Sequence, residues 1–163
     1  MSTFIEIPEK TVFKTRRFNI RPLSLSDVTK VEMYVRDIRL ARSSGTIPHP
    51  LTPDFVKDFI EKSMSDETSL DAWGIEYEES GRADLIGVVS LNRLDRSQSE
   101  IAYWVIPAIW NTGVATEAVK AFIEFCKYVP CKVNLIEYNP IDDGQFQQAS
   151  SSAINNYISN LEM

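Results

Sequence analysis

The chain is poor in cysteine, in histidine and in long apolar runs. Two cysteines, Cys126 and Cys131, and one histidine, His49, occur in 163 residues. This supply predicts neither a disulfide framework nor a zinc site, and we interpret both cysteines as free thiols. No apolar run approaches the roughly 18 residues of a membrane span, and the N-terminus has acids where a signal peptide has bases. We therefore expect a cytoplasmic protein that binds no metal and no membrane.

An excess of positive charge is also absent. The formal net charge is −6, which argues against sequence-independent binding to nucleic acid, because such binding neutralises phosphates with Lys and Arg. Hydrophobic residues make up 44% and charged residues 25%, a balance typical of soluble globular proteins. The length suits one domain of ordinary size. We expect a single domain over residues 1–163, with no direct nucleic-acid partner.

The first third of the chain predicts one strand and two helices. Alternating apolar residues within 13–23 predict a half-buried strand. Ser24 and Asp27 form a capping-box pattern before the first helix, and Thr52 and Pro53 suit the N-cap and first turn of the second. The second helix has apolar residues at helical spacing at Val56, Phe59, Ile60 and Met64.

The middle of the chain predicts three strands and a further helix. The strand candidates 72–79, 84–94 and 99–106 are separated by linkers of hairpin length, which predicts an antiparallel meander. A helix follows Gly113, and a later strand would have to run parallel to the strand before that helix. This helix has its apolar side at Ala115, Ala118, Val119, Phe122 and Cys126. The order predicts an α/β (α+β) fold with a mixed sheet and flanking helices.

The segment "WNTGVAT", residues 110–116, joins the last strand of the meander to this helix. The first N–H groups of a helix have no intrahelical partner and lie at the positive end of its dipole, so they suit a phosphate. Gly113 lets the backbone approach an anion closely, and Ala115 and Thr116 keep the neighbouring side chains short. The alternative is that Gly113 only shapes a turn and Ala115 only packs the helix.

This strand and helix resemble a known family. The order of elements and the run "IAYWVIPAIWNTGVATEA", residues 101–118, are similar to the GNAT superfamily of acetyl-CoA-dependent N-acetyltransferases, in the branch that acetylates ribosomal-protein N-termini. That branch has a Glu before an apolar-Gly-Tyr-Trp strand, a Pro, and then Trp-Gly-x-Gly-x-Ala-Thr-Glu-Ala. The resemblance covers about residues 10–128. The matching positions are Glu100, Tyr103, Trp104, Pro107, Trp110, Gly113, Ala115, Thr116, Glu117 and Ala118.

The resemblance implies an N-acetyltransferase with acetyl-CoA as cosubstrate and no metal. The acceptor would be the amine of a peptide N-terminus or of a small molecule, and it would attack the thioester directly. A backbone N–H of the fourth predicted strand would stabilise the oxyanion. The pantetheine arm would pair with Trp104, Val105 and Ile106. The pyrophosphate would lie over Asn111, Thr112, Gly113, Val114, Ala115 and Thr116.

Two residues of the loop depart from the family pattern. Asn111 replaces the first glycine, and Asn tolerates left-handed backbone angles better than most residues. Thr112 replaces a basic or amide residue that would bind pyrophosphate directly. We expect reduced affinity for CoA.

Glu100 is our candidate for the catalytic base, because a carboxylate entering the fourth strand can face the amine and partial burial would raise its pKa. The alternative is a solvated structural carboxylate. His49 is either a substrate contact or an ordinary surface residue. The aromatic residues Trp73, Tyr103, Trp104 and Trp110 suit the core and the cleft wall better than a binding cage.

Residues 129–163 differ from the rest of the chain. Five of the eight asparagines fall here, and no arginine occurs after Arg96. The runs "KVNLIEYNP" and "SSSAINNYISNLE" resemble the C-terminal region of radical-SAM ribosomal-RNA adenine methyltransferases. Two cysteines cannot supply that family's iron–sulfur ligands, so the resemblance does not imply methylation.

We expect this segment to supply a fifth strand at 133–136 and a last helix around 154–161, with Asn139 and Tyr157 as weak candidates for family roles. We also expect the sheet to be truncated after the fourth helix. A free sheet edge would permit either a monomer or a dimer. The alternative function is a non-catalytic truncated or fused GNAT-like protein that at most binds CoA.

Overall fold

The structure is a computed structural model that describes residues 12–79, 81–94, 99–126, 152 and 155. The chain divides into two compact units, Met1–Lys132 and Val133–Met163. All the strands and helices given below belong to the first unit.

The first predicted strand is a hairpin of two strands, β1 (Phe13–Lys14) and β2 (Phe18–Pro22), which pair antiparallel. The Thr15 hydroxyl accepts the backbone N–H groups of Arg17 at 3.2 Å and Phe18 at 2.9 Å, so a side chain stabilises the reversal. The prediction of one strand over 13–23 was therefore wrong at its start. The alternation of apolar residues gives no signal for a turn that a threonine side chain makes.

Three helices follow the hairpin: α1 (Val28–Val35), α2 (Ile38–Ser44) and α3 (Phe55–Met64). The Asp27 carboxylate accepts the backbone N–H of Ser24 at 2.9 Å, as the predicted capping box requires, and a 3-10 turn at Leu25–Asp27 leads into α1. Helix α2 was not predicted. Its signals are local, because Asp37 caps it by accepting the N–H of Arg39 and Gly45 ends it at a φ of 64°.

Helix α3 begins later than predicted. Its N-cap is Asp54 in a left-handed conformation, so Thr52 and Pro53 lie before the helix. Val56 and Ile60 are buried, but Met64 at the C-terminal end is 47% exposed. The predicted apolar face therefore ends one turn earlier, at Ile60, whose carbonyl accepts the hydroxyl of the buried Ser63.

The sheet is completed by β3 (Leu70–Glu79), β4 (Arg82–Arg93) and β5 (Ser99–Val105). The strand order is β1-β2-β3-β4-β5, and every neighbouring pair is antiparallel, which confirms the predicted meander. A 3-10 turn at Pro107–Ile109 then leads to α4 (Val114–Cys126). The parallel strand that would make the sheet mixed was placed at 133–136, outside the described residues, as were Asn139, Tyr157 and the predicted last helix.

The sheet separates two hydrophobic cores. One face packs against α4 through Trp73, Val89 and Phe122, each fully buried. The other face packs against α1, α2 and α3 through residues such as Val31, Ile60 and Val88. A sheet covered by helices on both sides is the predicted α/β arrangement, and it places the end of β5 beside the start of α4.

Candidate functional site

The end of β5 lies beside a bulge of β4. Ile75 pairs with Gly87 and Glu76 pairs with Leu85, so Ile86 is the extra residue of β4. Gly87 pairs with Val105, and a Cβ on Gly87 would lie 2.5 Å from the carbonyl oxygen of Trp104. Only glycine allows this close approach of the two backbones.

Some of the backbone groups at the end of β5 already form hydrogen bonds within the protein. The N–H of Ile106 donates to the carbonyl of Ile86 at 2.9 Å, toward β4. Because backbone groups alternate between the two edges of a strand, those of Val105 face the opposite edge. There the Val105 carbonyl accepts the indole N–H of Trp110 at 2.8 Å. Of the three residues predicted to pair with pantetheine, Val105 thus retains its N–H as the group best placed for a ligand.

The loop before α4 contains two left-handed residues. Asn111 has a φ of 63° and Gly113 a φ of 78°, and both are exposed. The Thr112 hydroxyl donates to the carbonyl of Ile109 at 2.6 Å, which ties the loop to the preceding 3-10 turn. Asn111 therefore adopts the left-handed conformation that we expected it to tolerate in place of glycine.

Helix α4 begins directly after this loop, at Val114. The N–H of Glu117 donates to the carbonyl of Gly113 at 3.0 Å and closes the first turn. The preceding N–H groups, those of Val114, Ala115 and Thr116, have no intrahelical acceptor. Such N–H groups, at the positive end of a helix dipole, are of the kind that bind phosphate, and phosphate binding at this loop stays a prediction.

Arg17, from the turn between β1 and β2, lies against this loop. Its backbone N–H donates to Glu117 Oε1 at 2.9 Å, and its Nε donates to Glu117 Oε2 at 2.7 Å. Its Nη1 donates to the carbonyl of Thr112 at 3.3 Å, and its Nη2 lies 3.6 Å from the position that a Cβ on Gly113 would take. One guanidinium thus contacts both the loop and the first turn of α4.

The pKa of Glu117 is held below its ordinary value. Partial burial opposes this shift, but the Thr15 hydroxyl, the Arg17 side chain and the Arg17 N–H donate hydrogen bonds to the carboxylate and outweigh it. Glu117 is therefore ionised at neutral pH. We had matched Glu117 to the family pattern without assigning it a contact, and Arg17 was not among our candidates. No sequence pattern indicated a pair separated by 100 positions.

Glu100, the predicted base, lies near the start of β5 and is exposed, so the expected partial burial is not found. It pairs with Asn92, and two residues further on Ala102 pairs with Ser90. Strand alternation puts Glu100 on the same face as Trp104, the face that packs against α1, α2 and α3. Five residues of strand separate Glu100 from Val105, which corresponds to about 16 Å.

The remaining candidates have ordinary positions. His49 is exposed in the loop before α3. Trp73 is fully buried, and Trp104 and Trp110 pack against the core beneath α1 to α3, whereas Tyr103 is 53% exposed. These aromatic residues do not form a cage. Within the described ranges no cluster of His, Cys, Asp or Glu could hold a metal ion, and no helix is long and apolar enough to cross a membrane.

Solved structures of acetyltransferases share this fold. Spermidine N-acetyltransferase from Vibrio cholerae, in complex with CoA and spermine, superposes with a TM-score of 0.55 at 16% identity, over 67% of this chain and 63% of that one. RimL, a ribosomal L7/L12 alpha-N-protein acetyltransferase in complex with coenzyme A, superposes with a TM-score of 0.60 at 14% identity, over 71% of this chain and 67% of that one. At these identities the likeness concerns the fold.

A second likeness confirms the resemblance of the C-terminal segment to methyltransferases. A probable dual-specificity RNA methyltransferase, RlmN of Flavobacterium psychrophilum, is 55% identical over 69 residues, 41% of this chain. The chain spans only about a fifth of the curated relatives it matches, since the 69 residues are 19% of that protein. The match is also longer than the segment 129–163 that we had assigned to it.

The acetyltransferase (GNAT) domain family matches residues 17–143, well over half of the chain. The match begins at Arg17, after β1, and includes β2, the meander of β3 to β5 and the loop before α4. A match of this extent shows the family to which the chain belongs. The protein belongs to the acetyltransferase (GNAT) family.

Proposed function

We propose that the protein is an N-acetyltransferase that transfers the acetyl group of acetyl-CoA directly to a primary amine. The observation that carries this proposal is the loop Asn111–Gly113, whose two left-handed residues precede the free N–H groups of α4. These groups would bind the pyrophosphate of acetyl-CoA. Family membership and the fold shared with CoA-bound acetyltransferases support the choice of ligand.

The pantetheine arm would extend from the loop back along the outer edge of β5. In the part of the chain that the structure describes, β5 is an edge strand, and its Val105 N–H faces outward. This N–H would bind the arm or donate to the developing oxyanion, according to how far the thioester reaches along the strand. The hydrogen bonds that Val105 C=O and Ile106 N–H already make would hold the strand end in place.

The chemical step forms a C–N bond and breaks a C–S bond. The amine attacks the thioester carbonyl, the oxyanion collapses, and the CoA sulfur leaves as a thiolate that takes up a proton. Glu100 would accept the proton of the amine, either directly or through a water molecule. Because Glu100 lies about 16 Å along the strand from Val105, this role requires that Val105 binds the arm and that the thioester reaches toward the start of β5, where Glu100 is exposed.

For the acceptor we propose an amine of a peptide N-terminus or of a small polyamine. The two acetyltransferases of shared fold act on a ribosomal protein and on spermidine, and both acceptors carry a primary amine. The alternative function is a protein that binds CoA without catalysis. It is favoured by the departures at Asn111 and Thr112 and by the segment shared with a methyltransferase.

Calorimetric titration of acetyl-CoA into the full chain tests the binding site. We expect saturable binding by the wild type and its loss in Gly113→Glu, because a carboxylate at the loop would repel the pyrophosphate. Gly45→Glu is the matched control, since it adds the same charge at another exposed left-handed glycine, with a φ of 64°. Failure of the folded wild type to bind would overturn the proposal.

A second assay separates catalysis from binding alone. The release of free CoA is measured with spermine and with a short peptide bearing a free N-terminus, and the acetylated product is identified by mass. Acetylation of either acceptor supports the enzyme. Tight binding without any acetylated product would favour the non-catalytic alternative.

A further inference from the structure

We propose that Arg17 is a positioning residue for the CoA-binding loop: it holds the peptide group between Thr112 and Gly113 so that the Gly113 N–H faces the ligand. This inference rests on the proposed function, because it concerns the site that would bind the pyrophosphate. The residue comes from the turn between β1 and β2, outside the loop and the helix that form the cradle.

The geometry of a peptide group carries the argument. Nη1 of Arg17 donates to the carbonyl oxygen of Thr112 at 3.3 Å. A peptide group is planar and almost always trans, so its C=O and N–H point in opposite directions. With the Thr112 carbonyl directed at Arg17, the Gly113 N–H is directed away from Arg17, toward the other side of the loop.

The orientation of this peptide group has to be fixed by a contact, because the backbone of a glycine does not fix it. Gly113 has a φ of 78°, and a glycine adopts several backbone conformations at similar cost. If the peptide rotated, the Thr112 carbonyl would face the phosphate and the anion would meet an oxygen in place of a donor. A fixed donor to the Thr112 carbonyl disfavours that rotation.

The guanidinium is itself held in place. Glu117 accepts both the backbone N–H and the Nε of Arg17, and it lies in the first turn of α4. The face of the Phe18 ring lies 4.9 Å from the guanidinium carbon. A planar guanidinium can satisfy Glu117 and the Thr112 carbonyl at once, whereas an ammonium group has no such fork.

The same contact bears on the departure at Thr112. The family pattern has a basic or amide side chain at that position, and here a threonine uses its hydroxyl on Ile109. Arg17 brings a cation to the same peptide from another part of the sheet. The loop therefore retains a positively charged side chain beside it, although none of its own residues is basic.

Three variants test the inference: Arg17→Gln, Arg17→Lys and Glu117→Gln. Each is titrated with acetyl-CoA by calorimetry and with acetyl-pantetheine, which lacks the pyrophosphate, by NMR. Arg16→Gln is the matched control, because it removes the same charge from the adjacent residue. Thermal unfolding of every variant reports its stability.

We expect Arg17→Gln and Arg17→Lys to bind acetyl-CoA about tenfold more weakly, or roughly 1.4 kcal/mol, while acetyl-pantetheine binding changes by less than about twofold. Glu117→Gln best distinguishes a positioning role from a simple effect of charge. Loss of a negative charge beside the pyrophosphate would strengthen binding if only charge mattered, whereas loss of the anchor of Arg17 weakens it. Arg16→Gln should bind like the wild type.

Wild-type affinity in both Arg17→Lys and Glu117→Gln would overturn the inference and leave the proposed function standing. Equal losses for acetyl-CoA and acetyl-pantetheine would also overturn it, because they indicate a general effect on the fold. If Arg17→Gln does not fold, the other two variants decide. A folded wild type that does not bind acetyl-CoA would overturn the proposed function and this inference together.

Discussion

The indole N–H of Trp110 donates to the carbonyl oxygen of Val105 at 2.8 Å, so the residue that follows the 3-10 turn holds the end of β5. This bond fixes the strand at the point where the loop leaves it. It also satisfies a carbonyl that faces away from β4 and that the described strands do not pair.

Trp110→Phe keeps an aromatic ring and removes this donor. We expect the free energy of unfolding to fall by about 1 kcal/mol, the typical net value of one hydrogen bond. We expect acetyl-CoA to bind more weakly as well, because the end of β5 would no longer be fixed. Denaturant unfolding measures the first effect and calorimetry the second. An unchanged affinity would mean that this hydrogen bond is not needed for acetyl-CoA binding.

Gly113→Ala places a side chain at a φ of 78°, where non-glycine residues are strained. Its Cβ would lie no closer than 3.6 Å to Arg17, so the cost is conformational, about 1 kcal/mol. We expect weaker binding of acetyl-CoA, since the loop would shift to relieve the strain.

Gly45→Ala is the control for that variant. Gly45 ends α2 at a φ of 64°, and a Cβ there would meet nothing within 4 Å. We expect a similar loss of stability with unchanged affinity. If Gly113→Ala and Gly45→Ala bind acetyl-CoA equally, the conformation of Gly113 is not needed for binding.

Asp27 makes the free energy of unfolding depend on pH. Its carboxylate accepts two hydrogen bonds from Arg21, both at 2.9 Å. Burial opposes ionisation, but the bonds from Arg21 and from the Ser24 N–H outweigh it and hold the pKa of Asp27 below its ordinary value. A carboxylate with a depressed folded-state pKa stabilises the fold above its unfolded pKa, near 4, and this stabilisation is lost as the pH falls through the folded-state pKa.

Asp27→Asn should lower the free energy of unfolding by about 2 kcal/mol at pH 7, because hydrogen bonds to a buried charged group are lost. Arg21 keeps its contact with Glu76, which limits the loss. The difference from the wild type should shrink as the pH falls from 5 to about 2. Denaturant unfolding across this range is the measurement, with Asp66→Asn, an exposed carboxylate, as the control.

Glu100→Gln tests the proposed base. We expect kcat to fall by about 10² to 10⁴ with little change in KM, because the carboxylate would act on the amine in the chemical step. Glu79→Gln, an exposed carboxylate on β3, is the control, and normal turnover in Glu100→Gln would leave Glu100 a solvated surface residue.

Much of the fold followed from local signals in the chain. Alternating apolar residues and short linkers predicted β3, β4 and β5 as a meander, and Gly113 marked the start of α4 at Val114. These signals are reliable because the period of a strand and the conformation of a glycine depend on neighbouring residues. The family was also identified from one stretch of sequence.

Two of the errors fell where a short-range polar contact altered the local pattern. The Thr15 hydroxyl turned one predicted strand into a hairpin, and the Asp37 carboxylate caps a helix, ended by Gly45, that was not predicted. The start of α3 differs for another reason: Asp54 adopts a left-handed conformation, and its side chain makes no cap hydrogen bond.

The sequence by itself determined the meander of β3 to β5, the helix α4 that follows it, the family and the position of the loop, because these depend on residues close together in the chain. Only the tertiary structure decided what contacts that loop. Arg17 and Glu117 are separated by 100 positions, and Gly87 meets the carbonyl of Trp104 only because β4 and β5 pair side by side. Such contacts depend on how distant segments pack in the sheet, and the spacing of residues along the chain does not predict that packing.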